Sequence, residues 1–209
     1  MNIYLIRHGK QNTTLCNEDA GLAEAGYLQA DLLGKRLASY EIDALYSSQL
    51  IRAVQTAEVI NLYIHRRHYI RENLTEISFG DMEGKTKTYI AEHFDDFKRE
   101  QMKLEEDIPY PGGENGRDVF RRAVTVIEEL IHSGNRNIAV VTHGGVIRAL
   151  IAGLIGLDIS KRLLLGYTLE NSSITELVYD ETDKRFYLQR FNDFAHLEAN
   201  PELQCHNSW

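Results

Sequence analysis

The chain has 209 residues, with 23 Lys and Arg against 31 Asp and Glu, and its formal net charge is −8. Because a nucleic-acid binder needs basic side chains to displace counterions from phosphates, this balance argues against a nucleic-acid partner. The length and the 43% share of hydrophobic residues predict one globular domain over residues 1–209 rather than a disordered chain.

The cysteines and the hydropathy pattern bear on the compartment. Cys16 and Cys205 form neither a CxxC spacing nor a disulfide framework, which is typical of proteins in a reducing compartment. No apolar stretch reaches the length of a membrane span, and the N-terminus lacks the basic leader of a signal peptide. We therefore expect a cytoplasmic protein with no membrane partner.

The first part of the chain alternates short apolar runs with segments of helical periodicity. The predicted elements are a buried strand at Asn2–Ile6, a helix over Leu22–Ala38 and a strand at Ile42–Tyr46. Ser47 and Ser48 are placed to cap the following helix, Gln49–Leu62, which puts Arg52 in its first turn.

The remaining elements continue this alternation. A strand near His68–Arg71 precedes a glycine-containing loop at Thr75–Gly84 and a charged helix over about Thr88–Leu104. Then follow an amphipathic helix from Val119 to Ile131, a strand at Asn137–Thr142, an apolar helix at Val146–Ile155, and strands at Ser173–Tyr179 and Arg185–Phe191. This order predicts an α/β fold, a three-layer αβα sandwich whose mostly parallel central sheet is covered by helices on both faces.

Two predicted strands end in a histidine that is followed at once by glycine. His8-Gly9 follows the predicted strand Asn2–Ile6, and His143-Gly144 follows the predicted strand Asn137–Thr142. In open α/β sheets, ligands bind outside the carboxyl ends of the strands, so both histidines are expected in one cleft. A single histidine at a strand end is more often a hydrogen-bonded structural residue. A pair of such histidines, flanked by further motifs, indicates a functional site.

The motifs around these histidines resemble those of the histidine phosphatase superfamily, which includes the cofactor-dependent phosphoglycerate mutases. The resemblance rests on Arg7-His8-Gly9, on Leu22–Ala30, on Tyr46–Ala57 with Arg52, on Glu76–Gly84, on Val141–Arg148, and on a late strand at Asn171–Ile174. The ordered agreement is specific for the superfamily and much less so for the substrate.

The resemblance implies a covalent mechanism. His8 would attack a phosphomonoester and form a phosphohistidine that water then hydrolyses, because neutral imidazole is nucleophilic near neutral pH. Arg7, Arg52, His143 and Gly144 would contact the phosphate, since guanidinium groups can donate paired hydrogen bonds to its oxygens. Positive charge nearby also disfavours protonation of His8. The scheme requires no metal and no other cofactor.

Glu76 matches the position of the family's proton donor. Protonation of the leaving oxygen by a carboxylic acid is worth roughly 10²–10⁴ in rate, and the same group can later act as base on the incoming water. Asp81 and Glu83 are the local alternatives. Glu76 is preferred because it alone matches the donor position of the aligned loop.

A third phosphate contact is harder to place. Family members supply an amide or hydroxyl side chain after Arg-His-Gly, but the segment Lys10–Asp19 is shorter than usual and Ala23 replaces the usual threonine. Gln11 and Asn12 are both candidates, and either one could instead be a turn residue. The sequence leaves the choice open.

The segment between the acidic loop and the next helix bears on the reaction. We expect Lys85–Pro111 to form a cap-like helical insertion over the site, and its 27 residues are shorter than the insertion of the mutases. This favours a phosphatase acting on a small phosphorylated metabolite, with phosphatases of the α-ribazole-phosphate or broad-specificity type most similar. A phosphoglycerate mutase is the enzyme alternative.

A non-catalytic phosphate-binding regulatory protein is the alternative from another functional class. Such proteins usually lack the nucleophile or an arginine, whereas this chain has all five family residues: Arg7, His8, Arg52, Glu76 and His143. The tail residues Cys205, His206 and Asn207 are only weak candidates for a metal site. The oligomeric state stays open.

Overall fold

The structure is a computed structural model that describes residues 1–205. Its strands are β1 (Asn2–Arg7), β2 (Ala44–Ser47), β3 (His68–Ile70), β4 (Asn137–Thr142), β5 (Ile174–Asp180) and β6 (Arg185–Asp193). Its α-helices are α1 (Glu24–Leu37), α2 (Ile51–Ile64), α3 (Lys87–His93), α4 (Asp95–Gln101), α5 (Gly116–Ile131) and α6 (Gly144–Leu154). The predicted strand at Asn137–Thr142 is confirmed at both ends.

The six strands form one sheet in the order β3-β2-β4-β1-β5-β6. The pairs β3-β2, β2-β4 and β4-β1 are parallel, whereas β5 and β6 join antiparallel at one side. Arg7 at the end of β1 pairs with Thr142 at the end of β4. This register brings the residues that follow, His8 and His143, side by side at one edge of the sheet.

Helices cover both faces of the sheet, as the alternation of side chains along β1 requires. Ile3 and Leu5 pack in a core with the apolar sides of α5 and α6. Tyr4 and Ile6 point the other way, into a core with α1 and α2. The predicted α/β sandwich with a mostly parallel sheet is therefore confirmed.

Two local predictions differ from the structure. The charged segment predicted as one helix over Thr88–Leu104 forms α3 and α4, which are separated at Phe94, where φ is −127° and ψ is 19°. Neither glycine nor proline marks this break, so the periodicity does not reveal it. Helix α2 begins at Ile51, whose backbone N–H donates to Asp19 Oδ1 at 2.9 Å and to neither serine, so the predicted capping of this helix by Ser47 and Ser48 is wrong.

Within residues 1–205, none of the helices combines the length and the apolar character needed to cross a membrane.

Candidate active site

The two strand-end histidines form the centre of the site. His8 and His143 are 5% and 0% exposed, and their ring centroids are 5.0 Å apart. The backbone N–H of His8 donates to the Thr142 carbonyl at 3.0 Å, which continues the pairing of β1 with β4 past the end of the strand. The parallel register thus fixes the distance between the two imidazoles.

His8 is held by its own loop. Its Nδ1 lies 2.7 Å from the carbonyl oxygen of Gly9, which makes Nδ1 the donor and leaves Nε2 with a free lone pair. The amide of Asn171 donates to the His8 carbonyl at 2.8 Å. Gly9 allows a close backbone approach, because a Cβ there would lie 2.6 Å from the Gly26 carbonyl oxygen. The loop therefore leaves Nε2 as the ring nitrogen that is free to react or to bind a ligand.

Two arginines lie beside these histidines. Arg52, only 2% exposed, donates from Nη2 to Asn17 Oδ1 at 2.8 Å and from Nη1 to the Glu18 carbonyl at 3.1 Å. Its buried Nε hydrogen-bonds to no described residue. Arg7, at the end of β1, donates through Nη1 to the Leu169 carbonyl. A buried guanidinium with an unpaired donor is suited to binding an anion.

Burial and positive charge keep both histidines neutral. Burial lowers the pKa of His8 well below its ordinary value, and the nearby Arg52 and Arg7 lower it further. Burial likewise lowers the pKa of His143, with His8 and the two arginines adding to the effect. The predicted influence of the arginines on His8 is thus present, although burial contributes more.

His143 has one bonded and one unbonded nitrogen. Its Nε2 lies 2.9 Å from Ser48 Oγ, whereas its buried Nδ1 hydrogen-bonds to no described residue. Ser48 Oγ also accepts the backbone N–H of Leu50 at 3.2 Å, and its own hydrogen can point at Nε2. When Ser48 donates in this way, the hydrogen of the neutral His143 ring lies on Nδ1, which can then donate to a ligand oxygen.

Ser48 was missed as a site residue by the sequence reading, which treated it as a helix cap. The available signal was its place directly after β2, since parallel strands bring the residues at their carboxyl ends to a common edge.

Glu76 lies in the loop after β3, against the first turn of α6. Its Oε1 and Oε2 are 3.1 and 3.3 Å from the backbone nitrogen of Gly145, and Oε1 also accepts the N–H of Ile77 at 2.8 Å. The N-terminus of a helix favours a negative group at this place. The structure therefore brings a carboxyl group to the end of β4, next to His143.

The two alternative carboxylates are placed differently. Glu83 Oε1 accepts from Asn17 Nδ2 at 3.1 Å, from Ser78 Oγ at 3.1 Å and from the Phe79 N–H at 2.9 Å. Asp81 is exposed, and its backbone N–H donates to the Pro111 carbonyl at 2.8 Å. Glu83 is thus bonded within the loops around Asn17 and Ser78. Among the three carboxylates, the geometry therefore favours Glu76 as the proton-donor candidate.

In the loop after Gly9, the side-chain amide that contacts Arg52 belongs to Asn17 and not to the predicted candidates Gln11 and Asn12. Gln11 forms an isolated bridge with Leu22, and the exposed Asn12 donates its backbone N–H to the Gly21 carbonyl at 2.8 Å. Asn17 instead reaches Arg52, in a left-handed conformation with φ of 48° that asparagine tolerates well. Phosphate contacts by Gln11 and Asn12 stay predictions.

Gly144 begins α6 directly after His143 and is half-buried. A Cβ placed on it would be 3.9 Å from Arg7 Nε, so its backbone lies close to one of the two arginines. A phosphate contact by Gly144 also stays a prediction.

A cavity of about 320 Å³ adjoins the proton-donor candidate. Its wall consists of Gln49, Glu72, Asn73, Thr75, Glu76, Ser78, Glu114 and Arg122. Because Glu76 lies in this wall, solvent or part of a substrate can reach the carboxyl group from that side.

Among residues 1–205, no three His, Cys, Asp or Glu side chains are grouped so that they could hold a metal ion. The weak candidate site in the tail includes His206 and Asn207, which lie outside the described residues.

The comparison with known proteins agrees with this geometry. A family model described as "Histidine phosphatase superfamily (branch 1)" matches residues 3–193. "Putative phosphoserine phosphatase 2" of Hydrogenobacter thermophilus is 28% identical over an alignment of 183 positions that covers 84% of this chain and 88% of the relative. "Probable phosphoglycerate mutase GpmB" of Yersinia pestis is 26% identical over an alignment of 219 positions that covers 98% of this chain and 99% of the relative. A mycobacterial glucosyl-3-phosphoglycerate phosphatase, solved with inorganic phosphate, superposes with a TM-score of 0.84 at 27% identity, covering 93% of this chain and 98% of that one.

Proposed function

This chain belongs to the histidine phosphatase superfamily (branch 1), and we propose that it hydrolyses a small phosphomonoester through a phosphohistidine on His8. The observation that carries the proposal is the state of the two buried histidines. His8 has its Nδ1 bonded to a carbonyl, and beside it Arg52 Nε and His143 Nδ1 are buried polar atoms without a hydrogen-bond partner among residues 1–205. Such groups are costly to bury unless a ligand satisfies them, and a phosphate dianion would accept from both.

In the first step, His8 Nε2 attacks the phosphorus atom. A bond from nitrogen to phosphorus forms, the bond from phosphorus to the ester oxygen breaks, and the leaving oxygen takes a proton from the Glu76 carboxyl group. Arg7, Arg52 and His143 stabilise the charge on the oxygens of the transferring group, as fixed donors do in other phosphoryl transfers. The products are a phosphohistidine and a free alcohol.

In the second step, water attacks the phosphohistidine. The Glu76 carboxylate accepts a proton from this water, the phosphorus–nitrogen bond breaks, and inorganic phosphate leaves with His8 restored. One carboxyl group thus serves as acid and then as base, with its protonation state reset after each turnover.

We infer that the substrate is a small phosphorylated metabolite. The net charge of −8 disfavours an extended polyanion, whereas a compact phosphate can reach Arg7 and Arg52 inside the fold. Proteins similar to this chain are named as phosphatases of phosphoserine and of glucosyl-3-phosphoglycerate. A substrate panel should therefore contain phosphoserine, phosphoglycerates, sugar phosphates, nucleotides and α-ribazole phosphate.

A phosphoglycerate mutase is the second candidate, supported by the similarity to the GpmB protein. The first step would be the same, but the phosphohistidine would transfer its phosphoryl group to a second phosphoglycerate rather than to water. The two activities are separated by the acceptor: a phosphatase releases inorganic phosphate in proportion to the substrate consumed, and a mutase does not.

The proposal is tested with purified protein and 4-nitrophenyl phosphate, followed by the substrate panel. We expect release of inorganic phosphate. Because phosphohistidine is acid-labile, quenching without acid should preserve a phosphorylated protein in which the phosphoryl group lies on His8. The variant His8→Ala should lose both signals while keeping the wild-type circular dichroism spectrum. A folded wild-type protein that is inactive on every substrate, or an active His8→Ala variant, would contradict the proposal. The first result would favour a non-catalytic phosphate-binding protein, and the second would favour another nucleophile.

A further inference from the structure

Glu76 stands in a loop that has no regular hydrogen-bonding pattern of its own. It lies between two short 3₁₀ turns, Glu72–Leu74 and Gly80–Met82. A general acid needs a defined position, because a misplacement of about 1 Å can cost roughly 10²-fold in rate. The question is therefore what fixes this loop.

Arg122, on the second turn of α5, bonds the backbone of the loop at two places. Its Nη2 donates to the carbonyl oxygen of Glu76 itself at 3.0 Å, and its Nη1 donates to the carbonyl oxygen of Asn73 at 2.9 Å. These contacts tie the guanidinium group to the proton-donor candidate and to the residue three positions before it.

Glu114 holds the same loop from the other side, and we call Arg122 and Glu114 together the clamp. Its carboxylate pairs with Arg122 through two hydrogen bonds, at 2.8 Å from Nε and 2.9 Å from Nη2. Its Oε2 also accepts the N–H of Ser78 at 2.9 Å, and its own backbone N–H donates to the Ser78 carbonyl at 3.0 Å. The loop is thereby held on both sides of Glu76. Burial favours the neutral acid, but the hydrogen bonds from Arg122 and Ser78 outweigh it and lower the pKa of Glu114.

The clamp is built on a rigid support. Helix α5 starts with a capping box between Asn115 and Asp118, directly after Glu114. Its apolar side is anchored in the core by Val119 and Ala123, which flank Arg122. The planar guanidinium of Arg122 makes four hydrogen bonds to two carbonyls and a carboxylate at once, whereas a lysine ammonium has only three donors and no paired geometry.

We propose that Arg122 and Glu114 are positioning residues that hold Glu76 in place as proton donor. The inference rests on the proposed function, since it concerns the acid of that reaction. It implies a particular kind of defect. Loss of the clamp should slow substrates whose leaving oxygen must be protonated and should spare those whose leaving group departs as a stable anion.

The experiment compares two substrates in the full-length protein. 4-Nitrophenyl phosphate has a leaving group that needs no proton, and the alkyl phosphate with the highest wild-type rate in the panel has one that does. The quantity to measure is kcat/KM, which contains the steps up to departure of the leaving group and excludes the later hydrolysis of the phosphohistidine. The variants are Arg122→Lys and Glu114→Gln, with Arg121→Lys as the matched control. Arg121 neighbours Arg122 on the same helix, and its side chain is 75% exposed.

We expect Arg122→Lys and Glu114→Gln to lower kcat/KM for the alkyl phosphate at least about tenfold and to change the value for 4-nitrophenyl phosphate less than about twofold, a part of the total effect of a general acid. Arg121→Lys should change neither. In a Glu76→Gln background, Arg122→Lys should add little further loss, because both changes remove the same contribution. Inhibition by inorganic phosphate should match the wild type.

The outcomes separate the two proposals. A wild-type protein inactive on both substrates would contradict the proposed function. With an active wild type, equal losses on both substrates, or weaker phosphate inhibition in Arg122→Lys, would overturn the inference and assign Arg122 to folding or to phosphate binding. Two clamp variants that retain full alkyl phosphatase activity would overturn it as well.

Discussion

Glu76 and Gly145 are in contact through both oxygens of the carboxylate, at 3.1 and 3.3 Å from the glycine nitrogen. The contact is possible because residue 145 has no side chain: a Cβ there would lie 2.5 Å from Glu76 Oε1 and 2.7 Å from Ile77 Cγ2. We predict that Gly145→Ala displaces the carboxyl group and lowers kcat/KM for alkyl phosphates by roughly 10²-fold, the cost of a misplacement of about 1 Å. Steady-state kinetics on the panel measure this.

The neighbouring glycine is the comparison for this variant. A Cβ at Gly144 would have its nearest neighbours at 3.9 Å, an ordinary van der Waals distance, and alanine keeps the backbone N–H. Gly144→Ala should therefore lose much less activity than Gly145→Ala. Similar losses in the two variants would show that the crowding at Glu76 is not the cause.

The lowered pKa values of His8 and His143 predict how stability depends on pH. The unfolded chain takes up a proton on each ring as the pH falls through about 6.5, while the folded protein keeps both neutral. The contribution of each histidine to the free energy of unfolding is therefore fully present above about pH 6.5. Below that value it decreases by about 1.4 kcal/mol per pH unit until the ring titrates in the folded state as well.

Urea unfolding at several pH values between 7.5 and 5.5 tests this prediction. The variant His8→Asn removes one titrating ring, so its slope below about pH 6.5 should be shallower than that of the wild type by about 1.4 kcal/mol per pH unit. His65→Asn is the control, because the side chain of His65 is exposed in the folded protein. An unchanged slope in His8→Asn would mean that His8 binds a proton equally well in both states.

The sequence predicted those parts of the fold that depend on local pattern. The run Ile138–Val141 lies between polar residues, so the strand that contains it could be located from hydropathy alone. Because parallel strands of one sheet end at a common edge, the meeting of His8 and His143 in one cleft was also expected, whereas the direct pairing of β1 with β4 is seen only in the structure. Side-chain partners from distant parts of the chain could not be predicted. Ser48 lies 95 positions from His143, and only the observed packing selects this hydroxyl group as its partner.

The amide beside Arg52 is a similar case, and it leads to a prediction about phosphate binding. Asn17 Oδ1 accepts from Arg52 Nη2 at 2.8 Å, while Asn17 Nδ2 donates to Glu83 at 3.1 Å. Removing this partner leaves a buried guanidinium less well fixed. A hydrogen bond to a charged group is worth about 1.5–3 kcal/mol, so Asn17→Ala should weaken competitive inhibition by inorganic phosphate by roughly tenfold or more.

Gln11→Ala and Asn12→Ala, measured beside Asn17→Ala, decide which residue of the loop matters most. We expect the inhibition constant for phosphate to rise most in Asn17→Ala, since this is the side chain of the three that is bonded to Arg52. A larger rise in either of the other two variants would place the phosphate contact at Gln11 or Asn12, as the sequence suggested.

The last prediction concerns the tautomer of His143. In a neutral ring, Nδ1 can donate to a phosphate oxygen only if Nε2 carries no hydrogen. We predict that the hydroxyl group of Ser48, 2.9 Å from Nε2, favours this state by donating to that nitrogen. In Ser48→Ala the ring is free to carry its hydrogen on Nε2, which turns Nδ1 into an acceptor that faces the anion. We expect kcat/KM to fall at least about tenfold on both alkyl and aryl phosphates, because an oxyanion donor is typically worth 10²–10³ in rate and part of the population keeps the productive tautomer.

The tautomer itself can be measured by nitrogen-15 NMR of the histidine rings. Wild-type His143 should show a protonated Nδ1 and an unprotonated Nε2, and Ser48→Ala should show a mixture or the reverse. Equal losses on both substrates would separate this defect from that of the Arg122 clamp, which spares the aryl substrate. If Ser48→Ala kept the wild-type tautomer and activity, the hydroxyl group would be a packing partner of His143 and the orientation of the ring would have to come from the fold around it.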